Sequence, residues 1–145
     1  MRLSKILMPS VNKSWVWLVL IIQMVIFSFA TGTNAPESKE VEIKWGIKIP
    51  LRDGVKVNAT IYQPRGLTDK LPVILTLTPY NADTYQKFAW YYAQNDYIFA
   101  AVDVRGRGNS EGEFNPMLQE ANDGHDIVEW LGKQEWSDGQ VAMWG

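Results

Sequence analysis

The first pattern in this chain that could do chemistry is Gly108-Asn109-Ser110-Glu111-Gly112. It satisfies G-x-S-x-G, the spacing that presents a serine nucleophile on a sharp turn between a strand and a helix. Its surroundings argue against that role. Arg105-Gly106-Arg107 separates the motif from the apolar run before it, and Phe114-Asn115-Pro116 follows where a helix should begin. Glu111 would also set a carboxylate beside the oxyanion that acyl transfer develops. Ser110 is therefore read as part of a glycine-rich turn. His125 is the only histidine, hence the only imidazole that could serve as a base. It shares a helical stretch with Asp123, Asp126 and Glu129. One histidine among scattered carboxylates reads as a solvated helix face rather than a metal site. Arg105 follows Asp103 and a buried strand, and its planar donor fork suits loop carbonyls or carboxylates, a structural task. Phe88, Trp90, Tyr91 and Tyr92 could line an acyl pocket, but at helical spacing they are expected in the core.

These residues need elements to hold them. Val41–Ile49 alternates apolar and polar residues, as a half-buried strand does. Pro50-Leu51-Arg52-Asp53-Gly54 is a turn, and its Asp-Gly favours a hairpin. Val55–Tyr62 alternates again, with Val55, Val57, Ala59 and Ile61 on one side. Leu71–Thr78 is almost continuously apolar or β-branched, the mark of a strand buried on both faces, and Tyr97–Val104 repeats that character. Residues 83–94 and 118–133 carry helical spacing, the second with Ala121, Ile127, Val128 and Leu131 as its expected buried side. Gln140–Trp144 is a last short strand. An antiparallel pair followed by alternating strands and helices predicts an α/β sheet that turns parallel after its second strand. A buried strand at the very end, with no helix after it, reads as a piece of a longer domain.

The charge is uneven. Arg2, Lys5 and Lys13 are the basic residues of the first thirty, and no acid precedes Glu37. Beyond residue 30 there remain eleven basic against sixteen acidic residues, net −5. A mildly acidic body argues against a nucleic-acid partner, which would need a basic face. The absence of cysteine excludes disulfides, thiolate catalysis, cysteine-based metal sites and a lipid anchored at a cysteine. Residues 1–30 have the layout of a secretory signal: a basic start, the apolar run Trp15–Ala30, then small residues. As a helix that run would span about 24 Å, short of the roughly 30 Å hydrocarbon core. Cleavage after Ala30 or after Ala35 is expected, and residues 31–40 read as a linker. An uncleaved anchor over residues 15–30, with Trp15 and Trp17 at the interface, is the alternative. Either way the body, residues 41–145, is expected outside the cytoplasm, periplasmic or secreted, with the membrane touched only through this segment.

Several motifs, taken in order, resemble one family. They are Pro50-Leu51-Arg52-Asp53-Gly54-Val55, Ile61-Tyr62-Gln63-Pro64, Thr78-Pro79-Tyr80, Asp103-Val104-Arg105-Gly106-Arg107-Gly108-Asn109-Ser110-Glu111-Gly112, Asp123-Gly124-His125-Asp126, and Trp136-Ser137-Asp138-Gly139-Gln140 running on to Trp144-Gly145. Together they are similar to the CocE/NonD hydrolases, which include cocaine esterase, X-Pro dipeptidyl-peptidases and α-amino-acid ester hydrolases. The resemblance covers residues 45–145. It implies the first five strands of an α/β-hydrolase fold, in sheet order 1-2-4-3-5. It implies a Ser-Asp-His triad with no cofactor and no metal, acting on a small-molecule ester or peptide. Gly145 matches the first glycine of the nucleophile elbow, which puts the serine two residues beyond Gly145 and the acid and histidine later still. The 145 residues alone are then expected to be inactive. The tyrosine of Pro79-Tyr80 would be an oxyanion-hole donor. Substrate choice among X-Pro peptides, carboxylic esters and α-amino acyl β-lactams stays open, as does oligomeric state. A non-catalytic binding protein on the same fold is the competing reading, and a membrane-tethered structural domain has little beyond residues 15–30 to support it.

Overall fold

The computed structural model describes Ser38–Gly145 and, before that, Trp17 alone. The expected export segment therefore lies outside the described residues, as does most of the linker. No helix among the described residues is long and apolar enough to cross a membrane.

The body is one five-stranded mixed sheet with a helix on each face. In chain order the elements are β1 (Val41–Pro50), β2 (Lys56–Pro64), β3 (Leu71–Thr78), a short 3-10 turn (Ala82–Tyr85), α1 (Gln86–Gln94), β4 (Ile98–Asp103), α2 (Glu120–Gly132) and β5 (Ser137–Met143). The spatial order is β1-β2-β4-β3-β5. β1 and β2 form an antiparallel hairpin, with Val41 opposite Pro64 and Pro50 opposite Lys56. The turn between them closes as its Asp-Gly predicts: Gly54 sits at φ +87°, and its N–H donates to the Leu51 carbonyl at 3.0 Å. β2 runs antiparallel to β4, and β3 lies parallel to both β4 and β5. The sheet thus turns parallel where the sequence predicts, and its order is the one the resemblance implies. The fold is a partial α/β-hydrolase fold.

The strand alternation sorts the core onto two faces. On one face Val57, Ala59, Ile61, Val73, Leu75, Ile98, Ala100 and Val102 pack under Ile127 and Leu131 of α2. On the other, Tyr62, Phe99 and Ala101 pack under Ala89 and Ala93 of α1. β4 is buried throughout, as its continuous apolar character requires of a central strand.

Three expectations need correction. β2 reads as a half-buried strand, yet Asn58, Thr60 and Tyr62 on its polar side are buried too, because α1 covers Tyr62 and the loops after β3 and β4 lie by Asn58 and Thr60. The aromatics of α1 are not core residues: Phe88, Trp90 and Tyr91 are exposed, while Ala89 and Ala93 meet the sheet. Small residues let the helix approach closely, and large rings at those positions would hold it off. In α2, Ala121 is exposed and Asp123 is buried. An arginine just after β4, Arg105, draws that carboxylate inward.

Candidate functional site

The connections place a cleft before any side chain is considered. β3 leads into α1 on one face of the sheet, and β4 leads into α2 on the opposite face. Adjacent parallel strands whose connections leave on opposite sides open a crevice at their C-terminal ends, where ligands bind in open α/β sheets. Here that crevice lies between the loop after Thr78 and the loop after Asp103. Pro79, Tyr80, Asn81, Asp103, Gly108 and Asn109 line it, around a space of about 650 Å³.

Tyr80 is 76% exposed at this mouth. Its own N–H donates to the Thr78 hydroxyl at 3.1 Å. Pro79 removes one backbone donor and fixes one dihedral between them. The Asn81 side chain accepts from the Asp83 N–H at 2.9 Å and so starts the 3-10 turn. Two residues beyond Tyr80, the Ala82 N–H donates to Asp103 Oδ1 at 3.0 Å in a buried setting. Burial pushes the Asp103 carboxyl above the ordinary aspartate range, against the donors at Ala82 and Asn109.

Gly145 approaches the same end of the sheet. β5 pairs with β3 through Leu75 opposite Met143, and the Trp144 N–H donates to the Leu75 carbonyl at 2.8 Å. The chain therefore leaves β5 beside Leu75, heading along β3 in the direction of Tyr80. Trp144 turns to the α1 face, 4.6 Å from Phe88 between ring centroids and 5.7 Å from Tyr85. The aromatic side of α1 thus reaches the end of β5 instead of filling the core.

The remaining sequence candidates are occupied elsewhere. Ser110 Oγ donates to the Asp103 carbonyl at 2.7 Å and accepts from the Asn58 N–H at 2.7 Å. It ties the glycine-rich turn to β2 and β4 and has no base beside it, which agrees with its reading as a structural serine. His125 projects from α2 with its side chain 64% exposed, and its Nδ1 lies 3.6 Å from Asp126 Oδ1. It lines a groove with Leu77, Pro79, Val104, Val128 and Met143 that shares Pro79 with the Tyr80 cleft but does not include Tyr80.

The carboxylates of α2 correct the expectation of a solvated face. Asp123 takes a bidentate pair from Arg105, Nε to Oδ2 at 2.8 Å and Nη2 to Oδ1 at 2.7 Å. Arg105 Nη1 also donates to Asp53 Oδ2 at 2.6 Å. This guanidinium, whose side chain is 9% exposed, joins β4, α2 and the β1–β2 turn. Hydrogen bonds donated to the two carboxylates push its already high pKa further up. Asp126 pairs with Arg52 at 2.6 Å, and that hydrogen bond holds its carboxyl well below the usual range. Glu129 pairs with Lys133 one turn along. Arg105 is thus the structural residue expected, with carboxylates rather than carbonyls as partners.

Sequence reasoning passed over Asp103 and Thr78. Their signal was available: each is a polar residue closing a run that is otherwise buried and apolar, at the C-terminal end of a parallel strand. The arrangement leaves the Tyr80 side chain exposed on a loop braced by Thr78 and Asn81, on the strand that pairs with β5.

Comparison with known proteins shows the family. Cocaine esterase from Rhodococcus sp. (strain MB1 Bresler) is 34% identical over 107 residues, covering 68% of this chain and 18% of the esterase. A putative serine esterase from Mycobacterium bovis is 30% identical over 121 residues, covering 67% of this chain and 19% of that protein. The chain therefore spans about a fifth of the length of these curated relatives. Among solved structures, an α-amino acid ester hydrolase superposes with a TM-score of 0.64 at 29% identity, over 78% of this chain and 22% of that one. A CocE/NonD family hydrolase from Staphylococcus aureus shares the fold with a TM-score of 0.66, over 72% of this chain and 23% of that one. Residues 53–145 match the X-Pro dipeptidyl-peptidase (S15) family from the β1–β2 turn to the last residue, a match that takes in the Tyr80 loop, the Arg105 clamp and all of β5. Its sequence, sheet and loops together make this chain a member of the X-Pro dipeptidyl-peptidase (S15) family.

Proposed function

We propose that this chain forms the oxyanion-binding side of a serine hydrolase active site that cleaves an ester or amide. The observation that supports it most is Tyr80, exposed on a braced loop after β3, the strand beside which β5 runs parallel to end opposite Leu75. In this reading a serine two residues beyond Gly145 attacks the substrate carbonyl, and an Asp-His pair further along activates it. Negative charge builds on the carbonyl oxygen. The Tyr80 hydroxyl and the backbone N–H following the serine each donate a hydrogen bond to it. The backbone of the Tyr80 loop is braced before reaction by Thr78 and Asn81, which limits the reorganisation needed as charge develops. The relatives include enzymes named as esterases, an α-amino acid ester hydrolase and an aminopeptidase, and the family is named for X-Pro dipeptidyl-peptidases, so the reading keeps both ester and amide substrates. We also propose that the protein is exported to the periplasm or beyond, on the strength of residues 1–35.

Tyr80→Phe in the full-length enzyme tests the proposal, because it removes one hydroxyl and little packing. Losing one oxyanion donor lowers kcat roughly 10²–10³-fold. With p-nitrophenyl acetate as substrate, kcat should fall by that factor while the melting temperature stays unchanged. A kcat within about threefold of wild type, against the loss expected for a missing donor, places the donor elsewhere. A glycine in place of the downstream serine would instead favour a binding protein on this fold.

A further inference from the structure

Asp103 closes β4 with a carboxylate that is nearly out of water: the residue is 5% exposed. A desolvated carboxylate is costly unless donors surround it. The nearby donors belong to the two loops that wall the cleft. From the β3 loop, Ala82 N–H reaches Oδ1 at 3.0 Å. From the β4 loop, the Asn109 N–H lowers the carboxyl pKa as a hydrogen-bond donor, with a smaller contribution from the Asn58 side chain.

Gly108 presses against the other oxygen. A Cβ at that position would stand 2.2 Å from Asp103 Oδ2 and 2.5 Å from its Cγ, and the residue holds φ +52°. The turn therefore packs bare backbone onto the carboxylate. Below it the strand ends are joined by the Val104 N–H donating to the Thr78 carbonyl at 3.0 Å. The Ser110 hydroxyl grips the Asp103 carbonyl from the side.

A carboxylate suits this place because both its oxygens accept. An asparagine would satisfy Ala82 with its carbonyl but turn an NH₂ toward the other loop, donor against donor. The loop anchored at Ala82 is the loop that carries Tyr80, two residues earlier. Nothing in the described contacts needs this carboxylate as proton carrier or nucleophile, since it is roofed by backbone.

We propose that Asp103 is a positioning residue for the Tyr80 hydroxyl: its buried carboxylate clamps the Tyr80 loop to the Arg105–Ser110 loop and so fixes where the donor stands. This rests on Tyr80 being the oxyanion donor. Two variants disturb the clamp independently. Asp103→Asn alters the carboxylate itself, and Gly108→Ala pushes it from the opposite loop.

The test is a pair of double-mutant cycles in the full-length enzyme. kcat and KM are measured with p-nitrophenyl acetate, and folding is followed by circular dichroism and thermal melting. Each single variant should lower kcat about 10- to 100-fold, the scale of a displaced catalytic group, with KM nearly unchanged. Repeated in the Tyr80→Phe background, each should cost less than about threefold, because groups acting through one another are not additive. If the two losses multiply in full, Asp103 does not act through Tyr80 and the proposal falls while the donor reading stands. If Tyr80→Phe itself leaves kcat unchanged, the donor reading falls and takes this one with it. If Asp103→Asn does not fold, Gly108→Ala carries the measurement. Loss of folding in both, or a lower melting temperature with wild-type kcat, makes the carboxylate purely structural and overturns the proposal.

Discussion

Arg105 shows how one side chain can define a site without entering it. Its three donors reach Asp123 on α2 and Asp53 in the β1–β2 turn, so a helix, a hairpin and a central strand share one charge. The Asp123 side chain is 10% exposed, and removing the arginine would leave that carboxylate buried and unpaired. Breaking such a pair from one side costs about 3–5 kcal/mol. Arg105→Ala should therefore lower the stability of the full-length protein by that amount in denaturant unfolding. Arg105→Lys should recover only part of it, because a single ammonium cannot reproduce the bidentate fork. An Arg105→Ala protein as stable as wild type would mean that the pair is a by-product of packing. The Asp53 side chain is 45% exposed and that of Asp126 14%, and each carboxyl is held below the usual range by an arginine hydrogen bond. A lowered folded pKa stabilises above the unfolded value and fades as pH falls through the folded one. Both contributions should therefore weaken only in acid.

The packing of α1 turns on small residues. Ala89 and Ala93 are fully buried against the sheet, whereas Tyr91 faces water. Tyr92 is intermediate, stacked on Phe99 of β4 at 5.7 Å between centroids. Enlarging a residue in the close seam forces the helix off the strands. Ala89→Leu should cost about 1–3 kcal/mol, while Tyr91→Ala, removing a far larger side chain, should change stability by less than about 0.5 kcal/mol. Thermal melts of the two variants check this, and the reverse order would mean that the aromatics, not the alanines, hold the helix. The aromatic face was readable in the sequence, but its direction was not. Helical periodicity shows that residues share a side, and only contact with β2 and β4 decides which side the sheet takes.

At the scale of the molecule, the sheet gathers chemistry at one edge. Tyr80, Asp103 and the exit of β5 come from strands separated in sequence and brought side by side by the order β4-β3-β5. The β1–β2 hairpin lies on the other side of β4, where Arg105 ties its turn to α2. The proposal of export rests on the basic, apolar start of the chain. If that proposal holds, protein recovered from the extracytoplasmic fraction should begin at Thr31 or Pro36 by N-terminal sequencing. Recovery of intact Met1 in soluble cytoplasmic protein would exclude it.

Much of this was legible in the sequence. Leu71–Thr78 reads as a doubly buried strand because seven of its eight residues are apolar or β-branched, and β3 has those limits. The Asp53-Gly54 turn, the alternation of strands and helices, and the structural character of Ser110 and Arg105 also follow from local chemistry. The ordered motifs pointed to the family. Tertiary structure alone decided the rest, because the deciding partners lie far apart along the chain. Asp123 looks like a surface acid until Arg105, eighteen residues earlier, is placed beneath it. Asn58 and Thr60 look solvent-facing until loops from β3 and β4 close over them. Asp103 looks like the end of a strand until Ala82 and Gly108 arrive from either side, and only that juxtaposition makes its carboxylate a clamp.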